Sequence, residues 1–354
     1  MKLTRSQLIV VIVLGVLVVG VYGCLVGTVV VNSRQISQIT ASAAATSSPS
    51  AAATGELAPS PTATASPTPT PTPLPAAPQT RYDLQVKRDP ENPTLRLQRG
   101  YAYIELEAEY YAVEDFTTAI GLDATLFEAY LGRGIARFYL KEWSAALEDF
   151  EQALALNPDL ADAHVWRGYL LYLRGEYEPA LEALRQAIAL DEADPAKHIM
   201  LAEALLDSGI PEEAEEEYAA ALSLDARSVE AYVGRAMARA EQRNLDGAMA
   251  DLSSAQEISP YDPVVLNGQA WFYAWYQHDH LDEAEQLAQR AVDGTKDDLD
   301  RASCLDTLGW VYYEQGRYEE AVAALEEAAA LATVEGEVIC SDIVEHLEEA
   351  RAAQ

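Results

Sequence analysis

His278, His280 and Asp282 stand at alternate positions in the stretch HDHLDE, residues 278–283, and imidazole and carboxylate groups are the side-chain types that hold a divalent metal. The same residues suit a polar turn between two helices, so the spacing alone assigns no metal. Cys304 and Cys340 offer a second chemistry, because an oxidising compartment would allow them to bridge. Whether their Cα atoms come within reach is not given by spacing. Gly132 and Gly134 lie in GRGIAR, inside a helix-period stretch rather than after a strand, so they do not make a phosphate loop. No nucleophile stands out beside a base. The expectation is a protein that is not an enzyme and holds no cofactor or metal.

Charge narrows the class of partner. The whole chain carries a formal net charge of −33, and residues 1–92 hold six Lys/Arg and four Asp/Glu, which leaves eighteen basic and fifty-three acidic residues for 93–354. Phosphates would be repelled by such a body, which argues against nucleic acid.

The amino-terminal quarter reads as an anchor and a tether. Leu8 to Val31 are 24 consecutive positions without a charge, long enough at about 1.5 Å per residue to cross the roughly 30 Å apolar layer of a bilayer. Lys2 and Arg5 precede this stretch and Arg34 follows it, so the positive-inside bias places everything beyond residue 34 outside the cytoplasm. Val21, Tyr22, Gly23 and Cys24 resemble a bacterial lipobox, in which the cysteine becomes a lipidated amino terminus; that reading, an envelope-assembly lipoprotein, and a cleaved secretory signal stay open beside an uncleaved transmembrane helix at about 8–31. All three put the remainder of the chain outside. Residues 35–92 read as a disordered linker rich in Ala, Ser, Thr and Pro, with SPTPTPTPLPAAP from Ser66 to Pro78. Such a segment has nothing with which to build a core, and its prolines favour an extended chain. Mixed Ser/Thr and Pro is also the setting of an O-glycosylated stalk.

From residue 93 the chain repeats with a period of 34, in copies starting at 93, 127, 161, 195, 229, 263 and 302. Position 8 is Gly100, Gly134, Gly168, Ala202, Ala236, Ala270 and Gly309, and position 20 is Ala112, Ala146, Ala180, Ala214, Ala248, Ala284 and Ala321. Position 27 is alanine in every copy, and position 24 is mostly large: Phe116, Phe150, Leu184, Tyr218, Leu252 and Leu325. A turn glycine stands at position 15 in Gly175, Gly209 and Gly316. Apolar residues at helical spacing fill the intervals, which predicts a helix, a short turn and a second helix, repeated. Two antiparallel helices pack closely only if a small residue sits where they cross, with a large one filling the adjoining gap. One hairpin cannot bury its face alone, so the copies must stack.

Gly309, Tyr312, Gly316, Tyr318, Ala321 and Ala328 stand at the spacing of the tetratricopeptide repeat (TPR) signature, and the chain resembles that family from about 93 to 335. The resemblance implies an all-α fold, a right-handed α-solenoid of seven repeats, with 336–354 as a capping helix. Repeat one departs from the pattern at Glu107 and Glu109, and repeat six carries extra residues around Gln277 to Leu281. In this family the first helices line a concave face, so the resemblance implies a groove with Tyr101, Phe138, Tyr139, Tyr169, Tyr172, Trp271, Trp275, Trp310 and Tyr313. Carboxylates accompany them: Glu105, Glu128, Asp162, Glu203, Asp207, Glu230, Asp306 and Glu314. A groove of that composition suits a protein or peptide with apolar anchors and basic residues. Each ring is equally able to pack between neighbouring helices. The basic clamp that some members use for acidic tails is not visible, since Leu131, Val165, Ile199, Val233 and Asn267 hold its place.

Overall fold

The first helix of most repeats starts where the chain supplies its own cap. Asn92, Asp194, Ser228, Asp262 and Asp297 each accept a hydrogen bond from a backbone N–H of the first turn, and Pro93, Pro195 and Pro263 stand just inside. A cap satisfies a donor that has no partner within the helix, and proline loses nothing there. The computed structural model describes residues 77–354; the apolar stretch 8–31, Cys24 and the tether up to residue 76 lie outside the described residues. Among the described residues no helix is long and apolar enough to cross a membrane.

These residues form two compact units, divided after Leu140. The first holds α1 (Asp83–Arg88), α2 (Pro93–Glu105), α3 (Glu109–Leu122) and α4 (Phe127–Tyr139). Helix α1 lies within the stretch read as linker; Val86 is buried and Asp83 pairs with Arg99 at 3.5 Å, so ordered chain begins before the first repeat. The second unit begins with α5 (Trp143–Leu156) and continues through five hairpins. They are α6 (Ala161–Leu173) with α7 (Tyr177–Leu190), α8 (Pro195–Asp207) with α9 (Pro211–Leu224), and α10 (Val229–Glu241) with α11 (Leu245–Ile258). The last two pair α12 (Pro263–Tyr276) with α13 (Leu281–Gly294), and α14 (Asp298–Glu314) with α15 (Tyr318–Leu331). The extra residues of repeat six make a 3-10 turn at His278–His280, and those before repeat seven lengthen α14 at its start.

The small residues do what close crossing requires. The alanines of positions 20 and 27 are fully buried in all seven copies. A Cβ on Gly168 would lie 2.8 Å from Leu184 Cγ and 3.3 Å from the Ala180 carbonyl oxygen, and one on Gly309 would meet Leu325 and the Ala321 carbonyl in the same way. Position 6 works likewise: a Cβ on Gly132 would meet the Phe116 ring at 2.5 Å, and one on Gly234 would run into Tyr218. The large residue of position 24 therefore seats the next repeat as well as its own.

In every repeat but the sixth, the turn between the two helices puts position 15 in the left-handed region whether or not it is glycine. Gly175, Gly209 and Gly316 have φ of 72°, 78° and 74°, while Glu107, Lys141 and Arg243 have 53°, 60° and 63°. An L side chain there costs about 1 kcal/mol. Glu107→Gly is expected to stabilise the first unit by about 0.5–1 kcal/mol, read as a raised denaturant midpoint; an unchanged or lowered midpoint would show that the Glu107 side chain offsets its strain.

Residues 336–354 are not one continuous helix. Thr333–Val334 and Glu337–Val338 pair antiparallel around a turn at Glu335 and Gly336, and the closing helix α16 is Ser341–Ala353. Cys304 is a free, buried thiol, so it forms no bridge with Cys340.

Candidate peptide-binding face

The nine rings of the implied groove fall in both units. In the first, Tyr101 is buried, donates its hydroxyl to the Glu128 backbone oxygen at 3.0 Å and meets Phe116 edge-on, while Phe138 and Tyr139 pack edge to face at 5.5 Å. In the second, Tyr169 and Tyr172 of α6 are buried with ring centroids 6.2 Å apart.

Helices α12 and α14 bring the remaining rings into one ladder. Trp271 stacks on Trp275 at 5.8 Å, Trp275 on Trp310 at 5.0 Å, and Trp310 on Tyr313 at 4.7 Å; Tyr313 then meets Tyr318 at 5.5 Å. The period explains the ladder: one helical turn separates Trp271 from Trp275, and a repeat step places Trp310 beside them. Trp271 is 1% exposed and belongs to the core, whereas Trp275, Trp310 and Tyr313 are half-buried.

His346 of α16 completes this arrangement, and nothing in the repeat pattern announced it. Its ring lies 4.5 Å from Trp310 and 5.7 Å from Trp275, and its Nδ1 is 2.8 Å from Asp306 Oδ1. Burial works to lower the imidazole pKa, but the charge and hydrogen bond of Asp306, with Asp342 and Glu349 nearby, outweigh it and hold the proton on above 6.5. Protonation of this ring would add a cation–π contact with the indole.

Carboxylates accumulate on the first helices α6, α8 and α10. Tyr172 donates to Asp207 Oδ2 at 2.7 Å. Burial first, then the charges of Asp207, Glu230 and Asp300, push Glu203 well above the carboxylate range. Burial does the same to Asp207, against the hydrogen bond from Tyr172, with Asp342 and Glu241 adding repulsion. Glu241 is pushed up to about 8 by burial and by Glu212 and Asp342, and Asp162 to about 6 by burial, opposed by Lys197. Asp342 stands at the start of α16, so the closing helix bears on repeats four and five as well as on seven. Its preceding hairpin reaches further: Glu335 accepts from the Ser144 hydroxyl and backbone N–H at 2.7 and 3.1 Å.

The histidines of repeat six go separate ways. His278 faces Glu314 at 3.3 Å, whereas His280 faces Glu283 at 3.4 Å and stacks on Tyr273. Among the described residues no group of three or more His, Cys, Asp or Glu is placed to hold a metal ion.

Family models described as tetratricopeptide repeat match residues 131–195, 199–263 and 264–333, which together span more than half of the chain. The chain belongs to the tetratricopeptide repeat family. Its repeats therefore make it a scaffold for protein–protein interaction. Among solved structures it is similar to a TPR protein from Parabacteroides merdae ATCC 43184, at 16% identity over 73% of this chain and 98% of that one, with a TM-score of 0.60. It is also similar to YrrB, described as a TPR protein with an unusual peptide-binding site (21% identity, 54% of this chain and 98% of that one, TM-score 0.46). A third is MamA (20% identity, 46% and 94%, TM-score 0.43). At these identities the likeness concerns the fold. The sequence matches no curated protein.

Proposed function

We propose that this TPR protein is a scaffold anchored in a membrane by residues 8–31 and raised from it by the Pro/Thr-rich tether, with its repeats on the outer side. Its first-helix face binds a protein segment that carries apolar anchors and basic residues. The observation that carries this reading is the way the rings and carboxylate of α12 and α14 receive His346 of α16. His346 sets its ring on Trp310 and Trp275 with its Nδ1 2.8 Å from Asp306 Oδ1, while the buried Leu347 and Ala350 of the same helix lie with Ala321 and Leu325 of the second helix α15. A surface that takes a protonatable aromatic ring against its indoles and carboxylate from its own chain has the chemistry to take apolar and basic side chains from another. The acidic body adds attraction for a basic partner at a distance and disfavours nucleic acid.

Selection of random twelve-residue peptides on the full-length chain tests the partner class. The expected survivors carry two or more large apolar residues and a net positive charge, and their binding weakens as salt is raised. Survivors that are acidic, or no enrichment over an empty support, would contradict it.

A further inference from the structure

A hollow of about 360 Å³ opens among the first helices of repeats four to seven. Two of its lining residues hold buried acceptors: Glu203 Oε2 on α8 and Asn267 Oδ1 on α12 have no hydrogen-bond partner among the described residues. Their residues are 2% and 5% exposed. Buried acceptors are normally answered, and the exceptions ask for a donor.

Other acceptors on the wall are engaged. Asp262 accepts from the Val264 N–H, Asp297 from those of Leu299 and Asp300, and Glu230 from the Ser228 hydroxyl at 3.2 Å. The wall carries Glu230, Asp262, Asp297 and Asp300 against a single cation among the described residues, Lys296, so the donor that suits this place is positively charged. Val233, Met237 and Pro263 give the hollow an apolar side. A long aliphatic stem ending in a cation fits both parts.

We propose that this hollow takes the charged end of a lysine or arginine side chain from the bound peptide, with its methylenes along Val233, Met237 and Pro263 and its N–H groups donating to Glu203 Oε2 and Asn267 Oδ1. The inference rests on the peptide-binding reading above and names the residue type the peptide inserts and where. A divalent metal is a poorer occupant, since no group of metal-binding side chains converges among the described residues. Cys304 on the same wall is not a reactive thiol: burial pushes it up to about 12, so thiolate is scarce at neutral pH.

Three probes decide the matter: the methylamides of N-acetyl-arginine, N-acetyl-lysine and N-acetyl-norleucine, titrated into the full-length chain at pH 8 by ligand-observed NMR. The two cations are expected to bind at least tenfold more tightly than norleucine, and Glu203→Gln and Asn267→Leu are each expected to reduce that preference at least tenfold while circular dichroism stays unchanged. The inference is overturned if norleucine binds as well as the cations, if no probe binds, or if the folded variants keep the preference. Should Glu203→Gln fail to fold, the preference measured in Asn267→Leu decides by itself. Basic peptides that survive selection yet ignore both substitutions would leave the scaffold reading in place and remove this one.

Discussion

The thermal midpoint of this protein is expected to rise by about 5–10 °C between pH 8 and pH 5. Glu241 releases its proton at about 8 in the folded chain and near its ordinary 4.5 when unfolded. Burial acts on Glu203 and Asp207 in the same direction, and raises Asp162 to about 6. For a group raised on folding, stability is fully present below the unfolded pKa and is lost as pH rises through the folded one. The window is therefore about pH 4.5 to 8, and His346, also raised, acts with the same sign above 6.5. Asp191, Glu320 and Glu335 are lowered by their partners and oppose this only below the ordinary carboxylate range. A pKa unit corresponds to about 1.4 kcal/mol. Discounting Glu241 for its partial exposure leaves about 2–3 kcal/mol, and roughly 2–4 °C per kcal/mol gives the quoted rise. Falling net charge works in the same direction. Glu241→Gln is expected to flatten the profile; a midpoint that falls on acidification would show that Glu203, Asp207 and Glu241 are not shifted upward in the folded chain.

Trp271→Ala is expected to cost about 3–5 kcal/mol, the range for removing a fully buried indole. The side chain is 1% exposed, stacked on Trp275 and met edge-on by Tyr276. Trp310, half-buried at the edge of the ladder, is expected to cost less. Urea denaturation of the two variants separates them, and a loss below about 1 kcal/mol for Trp271→Ala would mean that the α12 core is loosely packed. A binding defect in Trp271→Ala therefore cannot be read as a lost contact with a partner.

The hairpin architecture was legible because it rests on size at fixed spacing, and size is written in the sequence. The alanines at positions 20 and 27 and the glycines Gly168 and Gly309 leave no other packing. Repeat one was harder, since Glu107 occupies the left-handed turn without the glycine that signals it. Two short features had no periodic signal at all: α1 rests on Val86 and the Asp83–Arg99 pair, and the hairpin at 333–338 rests on a turn outside the repeat register. The aromatic residues of α12 and α14 could be listed from the family pattern, but not sorted into core and face. That sorting depends on α16, whose His346 lies thirty-six residues beyond Trp310 and is joined to it only by folding. The unpartnered oxygens of Glu203 and Asn267 were equally hidden. Asn267 registered in the sequence only as the lack of a basic clamp.

The measurement that bears most directly on the central claim is photo-cross-linking of a pool of basic, apolar peptides carrying benzoylphenylalanine to the full-length chain, with the attachment sites mapped by mass spectrometry. The account predicts attachment concentrated on α8, α10, α12 and α14, well above that from an acidic pool of equal hydrophobicity. Attachment concentrated on α9, α11, α13 and α15, or equal labelling by the two pools, would contradict it.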